Sequence, residues 1–356
     1  MPDVKALRAA TAKLPSGPPL VAAFTGGTTG IGSYIAKALA AVFAADGAKL
    51  RGYIVGRNAE RAAAVIAECR RISPGSDWRF VQATDLALIS EVDKACVEID
   101  RQETADPFHG GPKRLDMLYM THCYPILKER STTKEGLDSL ISTTYYSRMR
   151  FIQQLLLLLT ASPVPGHVVS VYAGGMEDGV GSKPGEPLPI GCPPPETYGV
   201  TGVRKHSSFM TTFMFEELAQ RHAGRISLSY VYPGLVDGPG FLSPEMPLWF
   251  RIVWRLLKPL ASLMMTKPED CGLAIVYAGS PQYPARAEVE GDGGLKEGPR
   301  STTWEVGGGS YALQETGDVA NKGPSYEKVR KEGVSKQVWD HTMETLERIE
   351  KESRVA

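Results

Sequence analysis

The chain has 356 residues, with Lys plus Arg and Asp plus Glu equal at 40 each, and 42% of its residues are hydrophobic. That length suits one large α/β domain or two smaller ones, and the apolar share is enough for a sizeable core. A net charge of zero gives no bulk electrostatic reason to expect a nucleic acid or an anionic membrane as partner.

Five cysteines, at 69, 96, 123, 192 and 271, are scattered without metal-ligand spacing, so no metal site is expected and a reducing compartment fits. Residues 1–15 form a short amphipathic segment that lacks the long apolar run of a signal peptide. The apolar stretches at 155–159 and 248–265 are too short or too charged to span a bilayer. A soluble, cytoplasmic protein without integral membrane insertion is the expectation.

The apolar run LVAAF at 20–24, bounded by prolines and glycines, predicts a buried parallel strand, and 33–45 has helical spacing. A second strand (51–58) and helix (59–72) follow, then strands at 77–86 and 115–120. A helix around 144–160 leads to a fifth strand at 167–172, and a helix at 204–222 to a sixth at 225–234. Strands alternating with helices over this length predict a doubly wound parallel α/β sheet of the Rossmann type. Two Gly- and Pro-rich stretches, 174–197 and 281–310, read as an insertion and a surface wrap before a final helix at 334–352.

The first strand runs into TGGTTGIG (25–32). Glycines at 26, 30 and 32 let the chain turn sharply, bring backbone close to a pyrophosphate and pack the helix on the sheet. The anion then rests on unpaired N–H groups at the helix start. This cradle comprises Gly26, Thr28, Thr29, Gly30, Ile31 and Gly32. The second strand ends in Gly56-Arg57-Asn58, with no carboxylate for a free ribose 2′-hydroxyl. Arg57 offers a bidentate donor for a 2′-phosphate, so NADP(H) is expected over NAD(H). After the third strand come Asp85 and Leu86; Asp85 has two open readings, acceptor for an adenine amino group or cap of the next helix.

TGGTTGIG, GRN, Asp85-Leu86, LDMLYM, HVVSV and YPG, in that order over about 18–280, resemble the short-chain dehydrogenase/reductase family. SPGSDWRFVQATDLALISEVD, TTYYSRMRFIQQLL, MTTFMFEELA and GVSKQVWDHT resemble a fungal branch of it, often found beside natural-product genes. The resemblance implies a catalytic domain over 14–345 with a lid at 238–268, an extension over 1–13 and a tail over 346–356. It also implies catalytic positions that this sequence fills unusually. Thr121-His122-Cys123 replaces Asn-Ala-Gly, and Thr144 stands at the helical asparagine place. Tyr172-Ala173 stands at the Ser-Ser pair, with Ser170 earlier in the strand as a structural residue. Val200 and Arg204 occupy the Tyr and Lys places, and Tyr198 lies two residues early.

The expected catalytic set is therefore Tyr198 as proton carrier, with Tyr172 and Arg204, and with Lys205 and His206 as other candidates. Thr121, Pro233 and Gly234 are expected at the cofactor, with Asp237 in place of a threonine after the Pro-Gly turn. The implied activity is NADP(H)-dependent oxidoreduction of a carbonyl or alcohol on a hydrophobic small molecule. Two alternatives stay open: non-redox cyclisation, isomerisation or dehydration with the cofactor as scaffold, and a non-catalytic NADP(H)-binding regulator. The stretch carrying Trp249, Phe250, Val253, Trp254, Leu257, Leu260 and Leu263 reads as a lid, a packed or subunit-contact helix, or a membrane-surface anchor. A homodimer is equally open, because a helix facing a partner would carry the cluster Tyr145, Tyr146, Arg148 and Arg150.

Overall fold

The structure, a computed structural model, describes residues 3–125, 129–176, 187–244, 246–262, 264–287, 297–320 and 326–355. Leu263 of the expected lid, residues 288–296 of the 281–310 wrap and residues 177–186 of the insertion lie outside them.

After α1 (Val4–Thr11), the apolar run becomes β1 (Leu20–Thr25), and the glycine loop opens α2 (Gly30–Val42). β2 (Leu50–Gly56), α3 (Ala59–Ile72), β3 (Asp77–Gln82) and α4 (Ile89–Ala105) complete the first half. The second half holds β4 (Met117–Met120), α5 (Ser139–Ile141), α6 (Ser147–Thr160), β5 (Gly166–Val171), α7 (Val200–Arg221) and β6 (Ile226–Val231). Then follow α8 (Leu248–Ala261), α9 (Pro268–Ala278), β7 (Ser310–Leu313), α10 (Glu327–Lys331) and α11 (Val334–Val355).

The seven strands form one sheet in the order β3-β2-β1-β4-β5-β6-β7, and every pairing is parallel. Both faces are covered, which is why the strands read as nearly continuous apolar runs. α2, α3 and α9 bury Ile35, Leu39, Ile66 and Ile275 with Phe24, Trp78 and Tyr119 on one face. α4, α6, α7 and α11 bury Ile99, Leu155, Phe213 and Leu346 on the other. The order reverses between β1 and β4, and that is where an open α/β sheet offers a crevice at the carboxyl ends of its strands.

α4 and β7 stand outside the expected set. The first turn of α4 has no side-chain cap of its own; the Glu135 carboxylate, 45 residues on, accepts from Ser90 N at 3.0 Å and also from Ile89 N at 2.6 Å. A start signal of that kind is invisible locally. β7 has four residues and follows glycines 307–309, so its period is too short to read. The helix expected from about 144 begins at Ser139 and passes through a π-helical turn, Ser142–Tyr146, before α6.

α11 runs unbroken from Val334 to Val355, across residues 345 and 346. The 1–13 extension is folded onto the body, with Leu7 buried against Leu273 and Ala274 of α9.

The Tyr145–Arg150 cluster does not face a partner subunit. α11 covers it in the same chain: Tyr145 Oη lies 2.6 Å from Thr342 Oγ1, Tyr146 Oη lies 2.7 Å from His341 Nε2, and Arg150 pairs with Asp93 and Glu350.

Candidate active site

The glycine loop follows directly from β1. Gly26 has φ of +75°, and a Cβ there would lie 2.8 Å from His122 N. A Cβ on Gly32 would lie 2.5 Å from the Gly26 carbonyl oxygen and 2.6 Å from Thr121 Oγ1. Only glycine permits this approach. Gly30, with φ of +54°, has nothing within 4 Å of its would-be Cβ. It opens α2, and the preceding Thr29 makes no side-chain cap bond. The result is a concave, uncapped helix start beside a void, the form a pyrophosphate needs. Thr28 turns its methyl onto Gly56, closing the loop against β2, while Ile31 is half-buried.

Arg57 is exposed immediately after β2, in position to meet a charged group on an adenosine ribose. Asn58 has a structural task, since its Oδ1 accepts from Arg61 N at 2.8 Å and caps α3. Asp85 accepts from Ala87 N at 2.9 Å and so closes its own turn; the helix cap that is one of its two open readings is made by Glu135. Leu86 packs on the core. Thr121 donates to the Thr25 carbonyl at 2.9 Å and props the loop from below, so its proton is not available to a ribose. Pro233 and Gly234 (φ +72°) follow β6 half-buried, with the Glu315 side chain over Gly234. The glycines, the uncapped helix and the lack of an acidic residue in Gly56-Arg57-Asn58 at the end of β2 together fit a phosphorylated dinucleotide.

Tyr172 follows β5 directly, its N–H donating to Val231 O at 2.9 Å. Its hydroxyl is buried and meets no hydrogen-bond partner, and neither does the buried Nε of Arg204 on α7. Buried polar atoms are normally satisfied, so two orphans at one end of the crevice mark a place for a bound group. Burial holds the Tyr172 phenol well above its ordinary pKa, with Cys123 and Tyr230 adding to the rise; Arg148 and Arg204 pull it back.

Arg148 is the residue that reasoning from sequence set aside. It is fully buried on α6, and its guanidinium lies 6.0 Å from the Tyr172 ring centre. It donates to Ser170 Oγ (2.8 Å), Val171 O (3.0 Å), His122 O (2.8 Å) and Thr143 O (3.1 Å), all neutral. No carboxylate pairs with it among the described residues, and burial lowers its pKa. His122, also missed, is buried and bridges Thr25 Oγ1 at 2.6 Å and Ser147 Oγ at 2.8 Å. Burial, with Arg148 nearby, keeps it neutral.

Tyr198 has surroundings of its own. It lies on the loop before α7 with the Arg130 guanidinium 4.4 Å above its ring. Burial raises its pKa, and a hydrogen bond to Asp138 raises it further. The Tyr198 phenol is thus engaged with a carboxylate, whereas the Tyr172 hydroxyl has no partner. Asp138 in turn caps α5 and pairs with Arg130. The charges acting on Tyr198 are Asp138, Cys192 and Arg130, a different set from those acting on Tyr172.

His206 is engaged with Gly191 O at 2.9 Å, and Thr144 bonds Ser207 Oγ at 2.8 Å and Leu140 O. Asp237 pairs with Lys258 at 3.0 Å. A cavity of about 740 Å³ between α1, α2 and α9 is lined by Tyr34, Lys37 and Leu273, and Tyr34 lies within reach of the Asp237 charge.

No family model matches the sequence. The short-chain dehydrogenase/reductase SAT2 of Stachybotrys chartarum is 56% identical over 355 residues, covering 99% of each chain. Oxidoreductase andH of Emericella variicolor is 34% identical over 98% of each chain. Oxidoreductase AN1596 of Emericella nidulans is 33% identical, covering 96% of this chain and 97% of its own. Among solved structures, the Pseudomonas aeruginosa RhlG/NADP active-site complex superposes with a TM-score of 0.52 at 18% identity, over 76% of this chain and 92% of that one. That likeness concerns the fold.

Proposed function

The chain belongs to the short-chain dehydrogenase/reductase family and is an oxidoreductase. From that premise we propose that it uses NADP(H) to interconvert a carbonyl and an alcohol on a hydrophobic small molecule in natural-product metabolism, in the cytoplasm, with Tyr172 as the proton donor. The observation that carries the assignment is the pair of buried, unpartnered atoms, Tyr172 Oη and Arg204 Nε, at the chemical end of the crevice. For the cofactor, the support is Arg57, the missing carboxylate beside it and the NADP complex among the fold neighbours.

When bound, the reduced nicotinamide supplies a hydride to the carbonyl carbon. The chain must then deliver a proton to the oxygen. Tyr172 keeps its proton at neutral pH because burial disfavours the phenolate. A carbonyl oxygen would take the position that the Tyr172 hydroxyl leaves unsatisfied. As the proton leaves, the positive charges of Arg148 and Arg204 stabilise the phenolate. Arg148 acts through Tyr172 and is a positioning residue.

The test follows the reduced nicotinamide band beside product while hydrophobic aldehydes and ketones are supplied with NADPH. Product formed in step with NADPH oxidation supports the reading. Product formed with no change in absorbance, at equal rates with either cofactor form, would overturn it in favour of non-redox chemistry.

A further inference from the structure

α8 leaves a large apolar face without cover. Its inner side, Phe250 and Trp254, stacks on Phe241, with Phe241 and Trp254 ring centres 4.3 Å apart. That short aromatic stack ties α8 to the turn Pro239–Leu242. The opposite side points to solvent: Trp249, Leu256 and Leu260 are 62%, 77% and 71% exposed, and Leu248, Ile252 and Leu257 share that face. A contiguous exposed face of this kind is uncommon on a soluble protein and marks an interaction surface.

The charges say what covers it. Residues 246–267 contain Arg251, Arg255, Lys258 and Lys267 and no acidic residue. Arg251 and Arg255 run along one edge of the apolar face with Lys258, which is paired with Asp237 at 3.0 Å, so the unbalanced charge of the edge is that of the two arginines. A lid closing on the crevice would turn an apolar face inward, yet the inward side is already occupied by the Phe241 stack. Tryptophan beside arginine on an amphipathic helix that lies flat matches the boundary between lipid headgroups and acyl chains. The chain as a whole is neutral, so the attraction is local, and no described helix is long and apolar enough to cross a membrane.

We propose that α8 docks the protein on an anionic lipid surface, burying the Trp249–Leu260 face among acyl chains with its basic edge on the headgroups. Lys258 of α8 reaches Asp237, just after the Pro233-Gly234 turn, at 3.0 Å, so a hydrophobic substrate partitioned into lipid would be delivered close to that turn. The docking itself does not depend on which reaction the site performs.

The experiment is co-sedimentation of the full chain with vesicles of phosphatidylcholine alone, or with about a third phosphatidylserine, near physiological salt. Binding to the anionic vesicles should exceed binding to neutral ones by about ten-fold or more and fall as salt rises. W249D/L256D should abolish it, and R255Q/K267Q should reduce it about ten-fold, both with unchanged circular dichroism and melting. Failure to bind either vesicle, equal binding to both, or binding unaffected by W249D/L256D overturns the proposal. So does concentration-dependent self-association in ultracentrifugation that W249D/L256D abolishes, because the face would then belong to a second copy.

Discussion

At the β1–β2 end of the crevice the chain removes atoms; at the β5–α7 end it adds them. Gly30 faces empty space and Gly32 admits no side chain, so an anion meets bare backbone. At the other end Tyr172, Arg148, Tyr230 and His122 fill the floor, and the polar groups there are either bonded or held in waiting. Two buried arginines sharpen the contrast. Arg51, on β2, is neutralised by Asp77, Glu103 and Asp106. Arg148 is bonded only to neutral acceptors. A buried pair such as Arg51 with Glu103 serves the fold; a buried cation without a counter-charge is costly, and its charge acts on whatever comes near. The difference teaches that binding and chemistry sit on one sheet but depend on opposite devices, space in one half and charge in the other.

Gly32→Val attacks the open half most severely, because a Cβ would meet the Gly26 carbonyl at 2.5 Å. NADPH affinity, read from quenching of the five tryptophans, should fall about a hundred-fold or more. Undiminished binding would break the account of the cradle.

The filled half should be the acid-sensitive one. Burial lowers the pKa of His167 on β5 to about 4. The folded chain therefore holds this imidazole neutral while the unfolded chain protonates it below about 6.5. The stability is fully present above pH 6.5 and is lost as pH falls toward 4, on the order of 3 kcal/mol in all. Urea midpoints at neutral and acidic pH should converge in His167→Gln; an undiminished acid loss would remove His167 as a cause.

Arg57→Asp tests the edge of the open half with a smaller effect. Preference for NADPH over NADH should drop about ten-fold or more, with NADH binding retained. An unchanged ratio would mean that the 2′-phosphate is held elsewhere.

The open half was the more legible in sequence. An apolar run, a glycine spacing and a helix with its own Asn58 cap are local signals, and α3 occupies the residues its periodicity predicts. The filled half is written in long-range contacts. Arg148 reaches Ser170 and His122, more than 20 residues away on either side, and Tyr145 meets Thr342, 197 residues on. From sequence, proximity to the start of α7 favoured Tyr198 over Tyr172. What separates the two tyrosines is the charge around each, and that exists only once β5, α6 and the segment before α5 are assembled. α8 was legible as amphipathic, but which of its faces is covered depends on Phe241.

The most direct test of the relocated proton donor is NADPH oxidation with a hydrophobic carbonyl substrate, compared across wild type, Tyr172→Phe and Tyr198→Phe. The account predicts that Tyr172→Phe lowers turnover by about a hundred-fold or more with NADPH affinity intact, while Tyr198→Phe stays within a few-fold of wild type. The reverse ranking, or equal losses in both, would contradict it.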